Sequence, residues 1–564
     1  MRNKTLSGLY SIVLLNSFSL FPEYLISVSI LYVSIVMVLV TYNAYGLMLQ
    51  KGLSECIALT LFMACYLMIN DDLISLELLT YANNPQNMSL PFTSNVSTFN
   101  ISIKDDYLGF FSKFVVCFSS AIYFMLIANS LKEQRLTSFE YLLITLFAVL
   151  GLMLLCSSND LLTAYLAIEL SSLACYVLAS FRKTSNYSVG SGLKYFITGA
   201  ISSAFFLLGS SFLYGLTGSI NFTVFSLLLD PSLLNQLPSV ALPLDIPFEK
   251  NGCDKNPALL MHIIGSSEYF DSSFAEEIGV ALICFSLYIK LALAPFHSWS
   301  LDVFEGSPTP ASFFFAIISK LSIFVLLVRL CFQFKGYSQS TYTNWQFYSF
   351  CVGLSSVFVG CLGGLKQRKI KTLLAYSSTS HMGYSLIAFS SATPFAIQMM
   401  FFSLVIYIIA GLSTWSIMLL LRLKSQGLGD EYNKELGDFV LLRKSNPSLA
   451  FALSLTMFSV AGIPPMAGFI AKMSLFLPVL SLNYYFFYVA LALISFLLSV
   501  TSTFYYIRII KILFFENQLV GRLYYPINTN QTLTLSLLVF LLLFIFINPS
   551  LLYLLTYKIK QSLC

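Results

Sequence analysis

Runs of about twenty apolar residues recur along nearly the whole chain, and each is as long as the roughly 17–25 residues that a helix needs to cross the hydrocarbon core of a bilayer. Only helices and closed barrels satisfy their backbone in lipid, and a barrel would show short alternating segments instead. The expectation is an all-α, polytopic membrane bundle. Of 564 residues 57% are hydrophobic and 10% charged, well below the charge content of soluble domains.

About fourteen spans are expected. The first six cover 24–44, 54–72, 107–129, 137–157, 160–181 and 191–216. The rest cover 276–298, 306–332, 346–364, 370–392, 397–424, 447–480, 484–514 and 530–556. Residues 1–20 have a weakly charged start, Arg2 and Lys4, with no small-residue cleavage site after them, and read as a first span or retained anchor.

Two long polar connections, 73–106 and 217–275, leave one end of the bundle. The opposite connections carry Arg182/Lys183, the Lys366–Lys371 cluster and Arg443/Lys444, which the positive-inside rule places on the inner side, leaving both termini outward. Asn87-Met88-Ser89, Asn95-Val96-Ser97 and Asn100-Ile101-Ser102 match the glycosylation acceptor pattern, as triplets in Asn/Ser-rich loops often do by chance. The net charge of +5 is dispersed, with no block suited to nucleic acid. The eleven cysteines fall mostly in apolar stretches without metal-ligand spacing and read as small core residues.

Charges inside the spans are the informative residues. Glu169 stands nine positions after Asp160 and thirteen before Arg182, close to mid-membrane. Lys290, Lys320 and Lys472 sit within apolar runs, and Lys194 lies nearer the start of its span. At about 2.5–3.5 kcal/mol each, three central lysines facing lipid would cost on the order of 8–10 kcal/mol together. Facing the interior, meeting water and pairing with a carboxylate lowers that cost. Glu169 is therefore expected to pair with Lys194 or Lys290. Desolvation and mutual attraction oppose one another in such pairs, so small rearrangements can move a proton. The bland alternative for each lysine is snorkelling to an interface or filling a polar crevice.

Helix breakers accompany these charges. Pro295 follows Lys290 by five residues, and Gly462-Ile463-Pro464-Pro465 precedes Lys472. Each frees backbone polar groups at membrane depth, a feature of ion paths. His297 and His381 are further candidates because imidazole titrates near neutrality, although a lone histidine in a core is often only a hydrogen-bonded one. His262 falls in the polar loop and reads as solvated.

The stretches LAIELSSLACYVLAS, GLKYFITGAISSAFFLLGSSFLYGLTGSINF, KLALAPFHSWSLDVFEGSPTPASFFFAIISK, LKQRKIKTLLAYSSTSHMGY and FSVAGIPPMAGFIAK resemble the antiporter-like membrane subunits of respiratory complex I, over roughly 107–514. Lysine rather than glutamate at position 472, and a tail after Leu555 too short for a long lateral helix, separate it from two other branches of that family.

The resemblance implies two inverted five-span repeats, 137–332 and 346–514, flanked by 1–136 and a C-terminal span within 515–564. It implies that Glu169, Lys194, Lys290, Lys320 and Lys472, with His297 and His381, translocate protons. Electron transfer elsewhere would alter the field at Glu169, and Lys320 would exchange its proton with Lys472 and the outer side through water and His297. It further implies that this chain binds no cofactor, with NADH, FMN, iron–sulfur clusters and ubiquinone on other subunits. The implied partners are the neighbouring antiporter-like subunit 4, the small subunits toward the quinone site, accessory subunits and lipid. A mitochondrial inner-membrane location follows from the abundance of Phe, Tyr, Leu and Ser, which suits an AT-rich organellar gene. The alternatives are a Mrp-type or stand-alone cation/proton antiporter and a purely structural scaffold.

Overall fold

The computed structural model describes residues 20–40, 46–82, 96–98, 102–134, 139–229, 272–333, 344–424, 431–432, 435–440, 442–480, 486–516, 523–524 and 529–563. Residues 1–19, the three acceptor asparagines, His262 and most of the 217–275 connection lie outside them.

The apolar runs form α1 (Phe21–Val40), α2 (Gly46–Ala82), α3 (Tyr107–Glu133), α4 (Phe139–Ser157), α5 (Leu161–Ala179) and α6 (Asn186–Thr217). A short α7 (Phe222–Leu229) precedes α8 (Ser272–Lys290), α9 (Ser298–Gly306) and α10 (Thr309–Gln333). Then come α11 (Asn344–Leu365), α12 (Ile370–Ser390), α13 (Pro394–Leu420), α14 (Pro447–Ala461) and α15 (Ala467–Leu480). The chain closes with α16 (Phe486–Phe515), α17 (Thr529–Ile547) and α18 (Ser550–Leu563). Two small antiparallel ribbons decorate the ends, Val96–Thr98 with Ile103–Asp105, and Arg422–Lys424 between Glu431–Tyr432 and Leu523–Tyr524.

Among the described residues ten helices are long and apolar enough to cross a membrane. Four further segments of span length, α1, α8, α12 and the broken pair α14–α15, bring the total among the described residues to fourteen. Helix α12 crosses without being strongly apolar because it is buried almost throughout. Its serine hydroxyls bond back to carbonyls three residues earlier, as Ser377 does to Leu374 and Ser380 to Ser377, so their polarity is satisfied within the helix.

Two expected spans are broken where their helix breakers stand, and a third differs in form. The one at 276–298 ends at Lys290 and resumes at Ser298; the one at 447–480 breaks between Ala461 and Ala467; the one at 530–556 stops at Ile547, and a separate helix starts at Ser550. In the first two, proline removes a backbone donor and ends the helical ladder. In the third, Asn548 caps the turn, its Oδ1 accepting from the Ser550 hydroxyl at 2.5 Å ahead of Pro549.

Helices α10 and α13 pack together at the centre, both buried along most of their length. Around them α11–α12 repeats a contact of the α4–α5 pair. A Cβ on Gly151 of α4 would lie 2.8 Å from the Ser171 nitrogen of α5, and one on Gly360 of α11 would lie 2.7 Å from the Ser380 nitrogen of α12. Gly360 and Ser380 each stand 209 positions after their counterparts. The same close backbone approach, available only to glycine, sets the spacing of both pairs.

At the outer end, as assigned by the positive-inside rule, connections 102–106, 158–160 and 219–222 knit together: Asn159 N–H donates to Ser102 O, Leu161 N–H to Ile220 O, and Phe222 N–H to Asn159 O, each at 2.9 Å. At the inner end the Lys369 ammonium contacts Glu305, and Lys371 Nζ donates to Ser307 O at 2.7 Å, tying α9 to the start of α12.

Candidate functional site

The breaks place the lysines. After Lys290 the chain turns through Ala292, which has a positive φ of 58°, and the Ile289 carbonyl accepts both the Ala292 N–H and Trp299 Nε1–H, each at 3.0 Å. Lys290 Nζ donates to the Tyr176 hydroxyl at 3.1 Å and also lies over that ring. A Cβ on Gly199 of α6 would overlap the Tyr176 hydroxyl, so glycine there makes the room in which this tyrosine meets Lys290. Lys290 borders an internal cavity of about 30 Å3, with Ser171, Ser172, Cys175, Tyr195 and Ser319 among its walls, enough space and polarity for water.

The second break is built differently. Pro464 and Pro465 have no N–H to offer Val460 and Ala461, the residues four positions earlier. Lys472 Nζ takes the Ala461 carbonyl at 2.7 Å, and His381 lies against the Val460 carbonyl. Gly462 adopts a left-handed φ of 77° directly over the Lys472 side chain. Lys472 and His381 border a second cavity, also about 30 Å3, with Ser385, Ser403, Tyr407 and Ser459.

The two cavities correspond. Ser172 of the first and His381 of the second are 209 positions apart, the spacing of the glycine–serine contacts, and Glu169 maps by the same spacing onto Ser378. The correspondence is incomplete at the lysines, since Lys290 precedes its break and Lys472 follows its own.

Lys320 stands between them in α10, 5% exposed, with the Tyr407 ring face 5.7 Å from its Nζ and no hydrogen-bond acceptor among the described residues. The His381 ring lies 5.2 Å from the other partner of that contact, Tyr407, so the order across the second half is Lys320, Tyr407, His381, cavity, Lys472. Toward the first half, Ser319 beside Lys320 reaches the Lys290 cavity. At each lysine the balance between charged and neutral forms is set by a few named neighbours rather than by bulk water.

Glu169 does not form the expected ion pair. Its carboxylate comes within charge range of Lys290 without an N–O contact inside 4 Å, and Oε1 has no hydrogen-bond partner among the described residues. It lies on the face of α5 that also shows Leu166 and Leu173, each more than half exposed. Lys194 is also elsewhere: exposed, it pairs with Asp302 of α9 at 2.5 Å. The reason is reach, because Lys194 sits eight residues into α6, at the depth of α9 rather than of Glu169. His297 stands at the start of α9, half-buried, with Nδ1 unpartnered among the described residues and its ring 6.4 Å from Tyr376.

Sequence reasoning missed Tyr176, Tyr407 and Asp302. The tyrosines carry a weak signal, as hydroxyls inside apolar runs; Asp302 carries none, its value arising from the fold of α9 against α6.

Broken helices, buried amines and paired cavities define a polytopic membrane protein that holds ionisable groups inside its helical bundle. The sequence matches the family described as NADH:quinone oxidoreductase/Mrp antiporter, transmembrane, over residues 158–499. It is 35% identical to NADH-ubiquinone oxidoreductase chain 2 of Marchantia polymorpha, covering 81% of this chain and 84% of that one. It is 33% identical to NADH-quinone oxidoreductase subunit N of Pelagibacter ubique, covering 81% and 86%. In fold it is similar to a chain of respiratory complex I from Thermus thermophilus, with a TM-score of 0.66 at 24% identity, covering 94% of this chain and 98% of that one. A chain of the Mrp complex from Dietzia gives 0.70 at 16% identity, covering 98% and 97%. The chain belongs to the family of NADH-ubiquinone oxidoreductase chain 2 and subunit N, membrane subunits of an enzyme complex.

Proposed function

We propose that this chain is a core membrane subunit of a proton-translocating NADH:ubiquinone oxidoreductase in the mitochondrial inner membrane. It moves protons through Lys290, Lys320, His381 and Lys472, with Glu169 setting the field on Lys290. Redox chemistry with NADH, FMN, iron–sulfur clusters and ubiquinone belongs to other subunits. The observation that carries the reading is the pair of corresponding cavities, each bordered by a lysine, on either side of buried Lys320.

A change of charge near Glu169 shifts the preference of Lys290 for its proton, and the shift passes by Coulomb interaction to Lys320 and then to Lys472. His297 stands at the inner end of the first break, not on the route to the outer side that the resemblance implied, and delivers protons. The exposed α5–α6 face, where an intramembrane carboxylate stands beside leucines, is the side on which the small subunits toward the quinone site pack, since lipid would penalise a charge there. Antiporter-like subunit 4 and accessory subunits cover other faces.

Lys320→Met in the assembled complex tests this: NADH oxidation with quinone is expected to persist while protons moved per NADH fall. Unchanged pumping would leave the lysines as scaffold. The likeness to the Mrp chain favours a second reading, cation/proton antiport, which predicts sodium-dependent proton movement by the chain without NADH.

A further inference from the structure

A buried ion pair lies outside the residues of the family match. Lys113 Nζ of α3 stands 2.6 Å from Glu23 Oε1 of α1, with side chains 5% and 8% exposed. Neither carboxylate oxygen receives a hydrogen bond among the described residues, so the contact is one of charge. A carboxylate meant only to staple two helices is normally also held by donors. Here one proton passing from Nζ to Oε1 breaks an N–H bond, forms an O–H bond and neutralises both partners.

Buried polar side chains stand between the pair and the first cavity. Ser319 borders the cavity, and Ser322 follows one turn later on the same helix. The Cys156 thiol of α4 donates to the Ser322 hydroxyl at 3.4 Å and interacts with Ser112, the neighbour of Lys113. Ser322, Cys156 and Ser112 are fully buried. The charged groups facing this line are Lys113 and Arg329, both near enough to act on the Cys156 thiol, with Cys117 and Cys65 beside the pair. Arg329 is bound by Asp106 at 2.5 Å, and Asp106 also meets Lys104 at 3.8 Å in the outer connection. The line therefore runs from the Lys290 cavity toward the outer end, where α1 and α3 both begin.

We infer that Glu23 and Lys113 form a proton-release station, taking protons from the Lys290 cavity through Ser319, Ser322, Cys156 and Ser112 and passing them to the outer side. Lys113, having given its proton to Glu23, regains one from the Ser112 side, and Glu23 loses its proton outward, so each cycle moves one proton and restores the pair. The inference rests on the proton-translocating reading above and adds a route through the N-terminal helices.

The test uses the assembled complex in sealed vesicles, reading protons translocated per NADH oxidised alongside the rate of quinone reduction. Glu23→Gln and Ser322→Ala are expected to keep quinone reduction and lower the proton ratio by about the same factor as Lys290→Met, with Glu23→Asp restoring it. Should Glu23→Gln fail to assemble, Ser322→Ala decides, because it interrupts the line without touching the ion pair. A normal ratio in Ser322→Ala alongside a lowered one in Lys290→Met overturns the station and leaves a structural pair. A normal ratio in Lys290→Met overturns the translocation reading itself, and the station with it.

Discussion

Lys472 and Ala461 meet across the break between α14 and α15: the lysine Nζ donates at 2.7 Å to the carbonyl that Pro465, four residues on, cannot serve. The side chain thus stands in for a missing backbone amide, and any loss of its proton or departure from this position is felt by the helix end.

Lys472→Met removes that donor and leaves a buried carbonyl unsatisfied, a cost of about 1–3 kcal/mol. A lowered melting temperature of the purified complex is expected, along with fewer protons pumped per NADH. Lys472→Arg keeps a donor and should recover most of the stability; equal melting of the methionine variant and the parent would show that the contact contributes nothing.

Gly462→Ala meets two obstacles. Its φ of 77° disfavours any side chain by roughly 1–2 kcal/mol. The new Cβ would also lie 2.8 Å from Lys472 Cδ and push the lysine off its carbonyl. Proton translocation should fall while Lys472 itself is intact, which a pumping assay beside a thermal melt can read.

For Tyr176 the change to Phe deletes the 3.1 Å hydrogen bond to Lys290 and keeps the ring. We expect a stability loss of about 0.5–1.5 kcal/mol. Gly199→Ala should mimic or exceed it by displacing the tyrosine hydroxyl. A double-mutant cycle checks the coupling: additive effects would mean that the glycine does not act through Tyr176.

Much of this was legible beforehand. Helix positions followed from apolar runs, and Lys290, Lys320 and Lys472 were marked by the cost of charge in lipid. The pairing of Glu169 was not, because separation along a helix says nothing of which face of α5 a carboxylate takes. Lys194 misled for the same reason: its partner Asp302 comes from a nine-residue helix whose direction only the Pro295 break determines. The bridging role of Tyr407 needed the packing of α12 on α13, which serine-rich sequence does not announce.

Asp160, just before α5 in the outer connection, gives a pH test. Burial pushes its carboxyl up to about 6, and Oδ1 has no hydrogen-bond partner among the described residues. A raised carboxyl favours the protonated folded form, so its stabilisation is complete below the ordinary carboxylate range and lost as pH rises from about 4 through about 6. Asp160→Asn should flatten that part of the stability–pH curve and stabilise the protein above pH 6 by on the order of 1 kcal/mol, allowing for solvent screening. Differential scanning fluorimetry of both proteins at pH 4.5, about 6 and about 7.5 reads the difference.

The replacement of Glu169 by Ser378 in the second copy of the helix pair reaches beyond packing. The carboxylate stands within charge range of Lys290 at the first cavity, while no carboxylate borders the second beside Lys472 and His381 among the described residues. With its lysine protonated, the first cavity has opposed charges about it and the second is bordered by positive charge alone. A push of charge beside Glu169 is then felt first at Lys290, and the second cavity answers with no carboxylate of its own to oppose it.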